Sequence, residues 1–346
     1  MYDTIVHFRV HSHHPHVVKR TTVPRGKDND AMGQTGSAID TSRIHDIAAG
    51  IRRRVLDHTL NNNGGYMSQA CSSAELLSCL YGGVVNLPPA DAPLLPKSFV
   101  GTPAPGGINR ATGAVFHGAP SADHDRLIIS PAHYALVVYA ALIETGRLDE
   151  DALADFNKDG STVEMIGAEH SPGFETTTGS LAQALSQSIG IALARRTRGE
   201  SGKTWVFMSD GEFQEGQTWE GLQAASHYSL DSLRIIVDVN QAQCDGPMDQ
   251  VMSIEPLAEK ISAFGWDVHK LDGHDVDGII AASEAEGSKP RALLCFTDPV
   301  RGLPLLEDRA PVLHYLRFKS EDERAQYQEA YMEMVKYLGF GRRSDY

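Results

Sequence analysis

Short apolar runs alternate with segments of helical apolar spacing from Leu127 onward. A short continuous apolar run is typical of a strand that is buried on both faces, and the longer periodic segments are typical of amphipathic helices. Their regular alternation predicts an α/β fold, a parallel sheet with helices on both faces. The predicted strands are LIIS from Leu127, TWVFM from Thr204, LRIIVDV from Leu233, WDVHKL from Trp266 and RALLCFT from Arg291.

Three regions of the chain differ in composition. Residues 1–40 are polar and lack a sustained period, which indicates a mobile leader. Residues 41–346 show no internal repeat and no shift in composition that would mark a second domain, so we expect one domain there. Within it, residues 87–120 are rich in proline and glycine and predict a surface insertion.

Two helices are predicted before the alternation begins. The first starts near Thr41, where Asp40 to Ser42 offer an N-cap, and the stretch NNNGGYM ends it. The second contains SSAELLSCL, and we expect Ser72 or Ser73 to cap it.

Composition and charge exclude several classes of function. The 346 residues carry a net charge of −14 and no run of Lys or Arg, which argues against a nucleic-acid partner. No apolar stretch is long enough to span a membrane. Cys71, Cys79, Cys244 and Cys295 form no CxxC pair, so we expect reduced thiols in the core of a cytoplasmic protein.

Polar residues follow two of the predicted strands directly. Asp210 and Gly211 come after TWVFM, and Asn240 and Ala242 come after LRIIVDV. Because ligands of parallel sheets bind at the carboxyl ends of strands, neighbouring strands would bring Asp210 and Asn240 together. A carboxylate, an amide oxygen and the Ala242 carbonyl would suit Mg²⁺ beside a phosphate group. The alternative is that Asp210 only caps a turn before the next helix.

Four blocks of sequence carry a family resemblance. They are ISPAHYALVVYAAL, ETTTGSLAQALSQSIGIALA, SDGEFQEG with IIVDVNQAQCDG, and KLDGHDVDGI. In this order they are similar to the N-terminal, thiamine diphosphate-binding domain of transketolase, and especially to the N-terminal subunits of split transketolases. With weaker flanking matches, the resemblance covers residues 42–338.

The resemblance implies thiamine diphosphate and Mg²⁺ as cofactors. It also implies ketol transfer, in which a two-carbon unit moves from a ketose-type donor to an aldehyde acceptor. The implied metal ligands are Asp210, Asn240 and the Ala242 carbonyl. The other implied contacts surround the cofactor: Gly211 and His133 at the diphosphate, His314 on the cofactor side, Gly179 and Leu181 at the aminopyrimidine, and Glu215 in an acidic network across the subunit interface.

The substrate side departs from the family pattern. The family's Gly-His segment reads Gly65-Tyr66 here, and a tyrosine hydroxyl titrates at about 10, too high for acid–base work near neutral pH. The loop before ETTTG is short, and His170 either replaces its substrate histidine or is unrelated to it. The candidate catalytic residues are therefore Tyr66, His133, His170 and Glu215, and the donor and acceptor stay open.

The family's second domain is the expected partner. In transketolases a separate pyrimidine-binding domain supplies the glutamate that activates the cofactor. This chain ends at Tyr346, shortly after the first domain would end. We therefore expect an obligate partner, a transketolase C-terminal subunit, in an α2β2 assembly, with a small sugar or keto compound as substrate.

Two other functions remain open at this point. The α subunits of 2-oxoacid or acetoin dehydrogenases bind the same diphosphate with a similar Asp…Asn pair. A non-catalytic cofactor-binding scaffold is the second alternative, because Tyr66 replaces the family's histidine. The retained Asp210, Asn240 and Glu215 argue against the scaffold.

Overall fold

The computed structural model describes residues 39–90, 93–101 and 112–341. The leader predicted over residues 1–40 lies outside this part of the chain except for its last two positions. The described α-helices, in chain order, are α1 Thr41–Asn62, α2 Met67–Cys79, α3 Ala135–Glu144, α4 Gln183–Thr197, α5 Gly216–His227, α6 Met248–Val251, α7 Leu257–Ala263, α8 Val276–Glu284 and α9 Glu321–Gly341. The described strands are β1 Arg126–Ile129, β2 Thr204–Ser209, β3 Leu233–Val239, β4 Ala242–Gln243, β5 Gly246–Pro247, β6 Asp267–Asp272 and β7 Arg291–Phe296. Across these residues no helix is both long enough and apolar enough to cross a membrane.

Five of the strands form one parallel sheet in the order β1, β2, β3, β7, β6. All five strands predicted from the sequence are present, and the predicted α/β class is confirmed. Strands β4 and β5 form a small antiparallel hairpin of their own. Because the strands of the large sheet run in one direction, the loops after β2 and β3 meet at the same edge.

Both faces of the large sheet are covered by helices. Alternate residues of a strand point to opposite faces, and β2 illustrates this. Trp205 and Phe207 pack in a core cluster with α1, α2, α3 and α8, whereas Val206 and Met208 pack in a second cluster with α4, α5 and α7. Since both faces of β1, β2, β3 and β7 are largely buried, these strands read as nearly continuous apolar runs, whereas the edge strand β6 is partly exposed.

The helix starts were predicted with mixed success. Asp40 caps α1 as predicted, because its carboxylate accepts hydrogen bonds from the backbone N–H groups of Ser42 and Arg43 at 3.1 and 3.2 Å. The predicted caps of α2 are wrong, since this helix begins at Met67 and contains Ser72 and Ser73 in its interior. Both hydroxyls find other acceptors there, which makes serine tolerable inside the helix.

The segment predicted as a surface insertion, residues 87–120, is described only in part. A 3₁₀ helix spans Gly113–His117, and its Phe116 and His117 side chains are buried. A Cβ atom at Gly113 would lie 1.8 Å from the Ser171 carbonyl oxygen, so only glycine fits this contact. The predicted surface position therefore does not hold for these residues.

A buried ion pair joins the first two helices. The Arg52 guanidinium contacts the Glu75 carboxylate at 2.5 and 2.7 Å, and the His274 ring lies 3.0 Å from the same carboxylate. Burial alone would raise the pKa of Glu75, but the hydrogen bonds from His274 and Arg52 outweigh it and lower the pKa to about 2. The carboxylate is thus charged and held between α1, α2 and the loop before α8.

We predict that Glu75→Gln lowers the free energy of unfolding by about 3 kcal/mol near neutral pH, because Arg52 stays buried without its counter-charge. The pKa of Glu75 falls from 4.5 to about 2 on folding, so its contribution is fully present above pH 4.5 and is lost as the pH drops towards 2. Urea unfolding at a series of pH values measures both effects.

The matched control is Glu150→Gln. The Glu150 side chain is 61% exposed and lies 3.6 Å from Arg54, so its loss should change the free energy of unfolding by less than about 0.5 kcal/mol. Equal losses for the two variants, or a Glu75→Gln loss that does not vary with pH, would contradict the assignment.

Candidate active site

A cleft of about 480 Å³ opens at the carboxyl ends of β2 and β3. Most of the candidate residues chosen from the sequence line it: His133, Gly179, Leu181, Asp210, Gly211, Glu215, Asn240, Ala242 and His314. A cleft at this edge of a parallel sheet is the usual location of a ligand site in α/β proteins.

The two strand ends that were expected to meet are neighbours. Strands β2 and β3 pair in parallel with Ser209 opposite Asp238, so Asp210 and Asn240 emerge side by side at the sheet edge. The Gln241 backbone N–H donates a hydrogen bond to Asp210 Oδ2 at 2.7 Å. The predicted juxtaposition of the acid and the amide is therefore confirmed.

Asp210 is a buried carboxylate in an unfavourable electrostatic position. Burial, together with repulsion from Asp238, raises the pKa of Asp210 to about 8, although backbone N–H groups of Gln241 and Gly211 act in the opposite direction. No Lys or Arg is among the described residues that line the cleft. A divalent cation bound here would supply the missing positive charge, so the residues fit the expected metal.

The expected metal site contains few ionisable ligands. Within the described residues no group of three or more His, Cys, Asp or Glu side chains is placed to hold a metal. The set expected here has one carboxylate, Asp210, and two neutral oxygens from Asn240 and Ala242, and such a set would leave coordination positions for phosphate oxygens.

Asp238 was not anticipated from the sequence, although it holds Asn240 in place. Its buried carboxylate accepts hydrogen bonds from the hydroxyls of Ser72, Tyr134 and Thr297 and from Asn240 Nδ2 at 3.2 Å. Because the Asn240 amide nitrogen is engaged, its oxygen is the atom left to face the cleft. An acid inside the apolar run LRIIVDV was the signal that could have identified it.

Glu212 is a second buried acid that the sequence reading missed. Its carboxylate accepts hydrogen bonds from the Ser130 hydroxyl after β1, the Ala182 N–H before α4 and the Ser209 N–H at the end of β2. Burial raises the pKa of Glu212, and these hydrogen bonds act against that rise. The side chain therefore ties together three of the segments that form the cleft.

His133 is held as a neutral ring at the cleft wall. Its ring centroid lies 5.1 Å from that of His314 and 5.8 Å from that of Tyr66. Burial, followed by repulsion from His314, lowers the pKa of His133 to about 3. Near neutral pH the ring can therefore donate a hydrogen bond to an anion but carries no charge.

Tyr66 lies beside the cleft histidines, although it does not line the cleft itself, because two distant segments pair. Gly65 and Leu316 exchange backbone hydrogen bonds of 3.0 and 2.9 Å, which places the Tyr66 ring edge-on to His314 and Tyr315 at centroid distances of 5.5 and 4.9 Å. Burial raises the pKa of the Tyr66 hydroxyl above its usual value. Acid–base work near neutral pH is therefore even less suited to this residue than the sequence indicated.

His170 lies apart from the cleft. Its ring packs on Phe99 with centroids 4.6 Å apart, and its Nε2 is 2.9 Å from the Glu164 carboxylate. His170 therefore packs against the 87–120 segment and is not among the residues that line the cleft. Of the two alternatives left open for His170, this position favours the one in which it is unrelated to the family's substrate histidine.

Two polar residues stand exposed at the cleft mouth. Glu215, the N-cap of α5, is exposed. Cys244, in the turn of the β4–β5 hairpin, is also exposed. The expectation that all four thiols fill the core is therefore wrong for Cys244, and it holds for Cys71, Cys79 and Cys295.

The fold and the cleft define an α/β domain that binds its ligand at the carboxyl edge of a parallel sheet. Residues 118–309 match the model of the family "Transketolase, thiamine diphosphate binding domain". The chain is 35% identical over 296 residues to the putative uncharacterized transketolase family protein y4mO of Sinorhizobium fredii, and the match covers 84% of this chain and 95% of that protein. This chain therefore belongs to the transketolase family.

Two further comparisons show how the chain relates to its relatives. It is 31% identical over 274 residues to one subunit of the apulose-4-phosphate transketolase of Actinobacillus succinogenes, with 78% of this chain and 88% of that protein covered. The solved transketolase from Campylobacter jejuni superimposes with a TM-score of 0.60 at 19% identity over 86% of this chain and 48% of that one. The chain thus spans about half the length of this solved transketolase. It is the N-terminal, thiamine diphosphate-binding part of a transketolase-like enzyme, so the family decides against the dehydrogenase alternative.

We predict that Glu212→Gln lowers the free energy of unfolding by about 2 kcal/mol, because an amide NH₂ would face the backbone N–H of Ser209 or Ala182. Glu215→Gln, in the same turn but exposed, is the matched control and should stay within about 0.5 kcal/mol. Chemical denaturation of the two variants measures the difference. Similar stabilities would show that Glu212 does not hold the three segments together.

Proposed function

We propose that this chain is the diphosphate-binding subunit of a two-component transketolase-like enzyme. In this proposal it binds thiamine diphosphate with Mg²⁺ and, with a pyrimidine-binding partner subunit, transfers a two-carbon ketol unit from a ketose-type donor to an aldehyde acceptor. The observation that carries the proposal is the pair of Asp210 and Asn240 at adjacent strand ends, where the Asp210 carboxylate is buried and uncompensated.

The metal would be held by three oxygens from the two strand ends. They are the Asp210 carboxylate, the Asn240 side-chain oxygen and the Ala242 carbonyl oxygen. Asn240 Nδ2 donates to Asp238 and to the Tyr134 hydroxyl, at 3.2 and 3.3 Å, which fixes the direction of its oxygen. The Ala242 N–H donates to that oxygen at 3.0 Å and leaves it a lone pair for the cation.

The charge of the cleft supports a metal-dependent mode of binding. Its described lining includes Asp210, Glu215 and Asp245 and no Lys or Arg. A diphosphate would be repelled by this surface, within a chain of net charge −14, unless a cation entered with it. A bound Mg²⁺, held by Asp210, Asn240 and Ala242, would supply the positive charge that offsets that repulsion.

The remaining cleft residues would orient the cofactor. When bound, thiamine diphosphate supplies the electron sink for breaking the bond beside a ketone and transferring the fragment. The neutral His133 would donate its ring N–H to a phosphate oxygen. Gly211 leaves room for the phosphates, since a Cβ atom there would have only Gln243 Nε2 nearby, at 3.8 Å. Gly179 and Leu181 would line the aminopyrimidine, and His170 takes no part because it does not line the cleft.

The partner is proposed from the relatives and from the cleft mouth. The chain matches 88% of a relative whose name identifies it as one subunit of a transketolase. In this proposal the exposed Glu215 at the mouth would join an acidic network that the second subunit completes. We propose an α2β2 assembly in the cytoplasm, where the four free thiols would stay reduced.

We predict that Asp210→Asn weakens Mg²⁺-dependent binding of thiamine diphosphate at least about tenfold, because it removes the charged ligand of the proposed ion. Calorimetry in the presence of the partner subunit measures the affinity. Asp245→Asn makes the same charge change at an exposed cleft position and should alter the affinity by less than about threefold. Equal affinities for wild type and Asp210→Asn would remove Asp210 from the metal site.

We predict that the purified chain has little or no ketol-transfer activity with thiamine diphosphate and Mg²⁺, and that adding the pyrimidine-binding subunit restores it. A coupled assay of ketose cleavage with an added aldehyde measures this. Full turnover by the isolated chain would contradict the two-component proposal.

A thermal shift assay with the partner present tests the remaining alternative, a non-catalytic scaffold. The absence of any stabilisation by thiamine diphosphate would favour that scaffold.

A further inference from the structure

A buried glutamine contacts one of the cleft histidines from a position 245 residues away in the chain. Gln69 lies in the first turn of α2, lines the cleft and is only 3% exposed. Its Nε2 lies 3.2 Å from His314 Nδ1 and 3.2 Å from the His314 carbonyl oxygen. Gln69 therefore contacts both the ring and the backbone of His314.

The orientation of the Gln69 amide follows from its neighbours. The His314 carbonyl oxygen can only accept a hydrogen bond, so the amide NH₂ must be the group that faces it. The amide oxygen on the other side accepts a hydrogen bond from the Ser68 hydroxyl at 3.0 Å. The reversed amide would set two oxygens against each other at 3.2 Å and is excluded by repulsion.

The fixed amide decides which nitrogen of the His314 ring carries the proton. The NH₂ group has two hydrogens, one for the carbonyl oxygen and one for Nδ1. Nδ1 must then be an acceptor without a hydrogen, so the neutral ring carries its proton on Nε2. Burial lowers the pKa of His314, which keeps the ring neutral near neutral pH. Among the described residues, none accepts a hydrogen bond from Nε2.

The surroundings hold the plane of this ring as well as its proton. The Tyr66 ring stands edge-on to the His314 ring, with an angle of 82° between their planes. The Gly65–Leu316 bridge holds the backbone segments that carry these two residues next to each other. The His133 ring lies 5.1 Å away on the same wall of the cleft. The two neutral rings therefore form one donor-bearing wall, provided that each keeps its N–H directed at the ligand.

We propose that Gln69 is a positioning residue that locks His314 as the Nε2–H tautomer, so that the ring presents a hydrogen-bond donor to an anionic oxygen in the cleft. The opposite tautomer would turn a lone pair towards that oxygen and repel it. The part that concerns the anionic oxygen rests on the proposed function, whereas the tautomer of His314 does not.

The tautomer is tested directly by NMR on the full chain with ¹⁵N in its histidine rings. Two-bond ¹H–¹⁵N spectra separate the two neutral forms, and His314→Gln identifies the His314 signals. His274 provides the opposite reference in the same spectrum, because the Asp298 N–H donates to its Nε2 at 2.9 Å and the Glu75 carboxylate faces its Nδ1. We expect His314 as Nε2–H and His274 as Nδ1–H.

Substitution of Gln69 then tests the cause. A carboxylate in Gln69→Glu can only accept from Nδ1, so His314 should change to the Nδ1–H form or the imidazolium. The apolar Gln69→Met should give a mixture of neutral forms. An Nδ1–H ring in the wild-type chain, which needs no folded variant to observe, would overturn the proposal. An unchanged Nε2–H ring in Gln69→Glu, at a pH where the introduced carboxyl is ionised, would also overturn it.

Binding of Mg²⁺ with inorganic pyrophosphate, measured in the presence of the partner subunit, tests the ligand side. Calorimetry should show that Gln69→Glu weakens binding in both backgrounds through its charge, but by a factor at least about tenfold larger in the wild-type background than in the His314→Gln background. The same loss of affinity in both backgrounds would mean that only the added charge weakens binding, and it would contradict the donor role of His314. If pyrophosphate does not bind the wild-type chain at all, the proposed function and the anionic-oxygen assignment fail together, and the spectrum alone decides the tautomer.

Discussion

The burial of one carboxylate at the end of a central strand is the constraint on which the site depends. Asp210 is 2% exposed, lies near a second acid, Asp238, and is supported only by backbone N–H groups and not by any described cationic side chain. Burying such a charge is costly unless a cation or strong hydrogen bonds meet it. The parallel pairing of β2 and β3 makes that position useful, because it sets Asn240 and its oxygen next to the acid.

A layer of buried polar groups behind the cleft keeps this arrangement in place. Asp238 directs the Asn240 amide, Glu212 joins the loops after β1 and β2 to the entry of α4, and Gln69 holds His314. Each of these three side chains is almost fully buried and hydrogen-bonded on both sides. Polar groups that are satisfied in this way restrict the geometry, and a preformed site loses less entropy when its ligand binds.

The sequence was informative where local pattern and sheet geometry decide the outcome. Continuous apolar runs marked the covered strands, and the residues after two of them correctly located the cleft. It could not show contacts that depend on how distant segments pair. The Gly65–Leu316 bridge brings Tyr66 to His314, and the His170 ring packs on Phe99 outside the cleft. Serine patterns were misread in α2 for the same reason, since Ser72 is satisfied by Asp238 across the core.

The most direct test of the central claim is to locate the metal in the assembled enzyme with thiamine diphosphate bound. Mn²⁺ in place of Mg²⁺ gives an anomalous diffraction signal that marks the ion without ambiguity. The account predicts one peak at bonding distance, about 2.1 Å, from oxygens of Asp210, Asn240 and Ala242. A diphosphate bound in the cleft with the ion elsewhere, or with no ion touching Asp210 and Asn240, would contradict it.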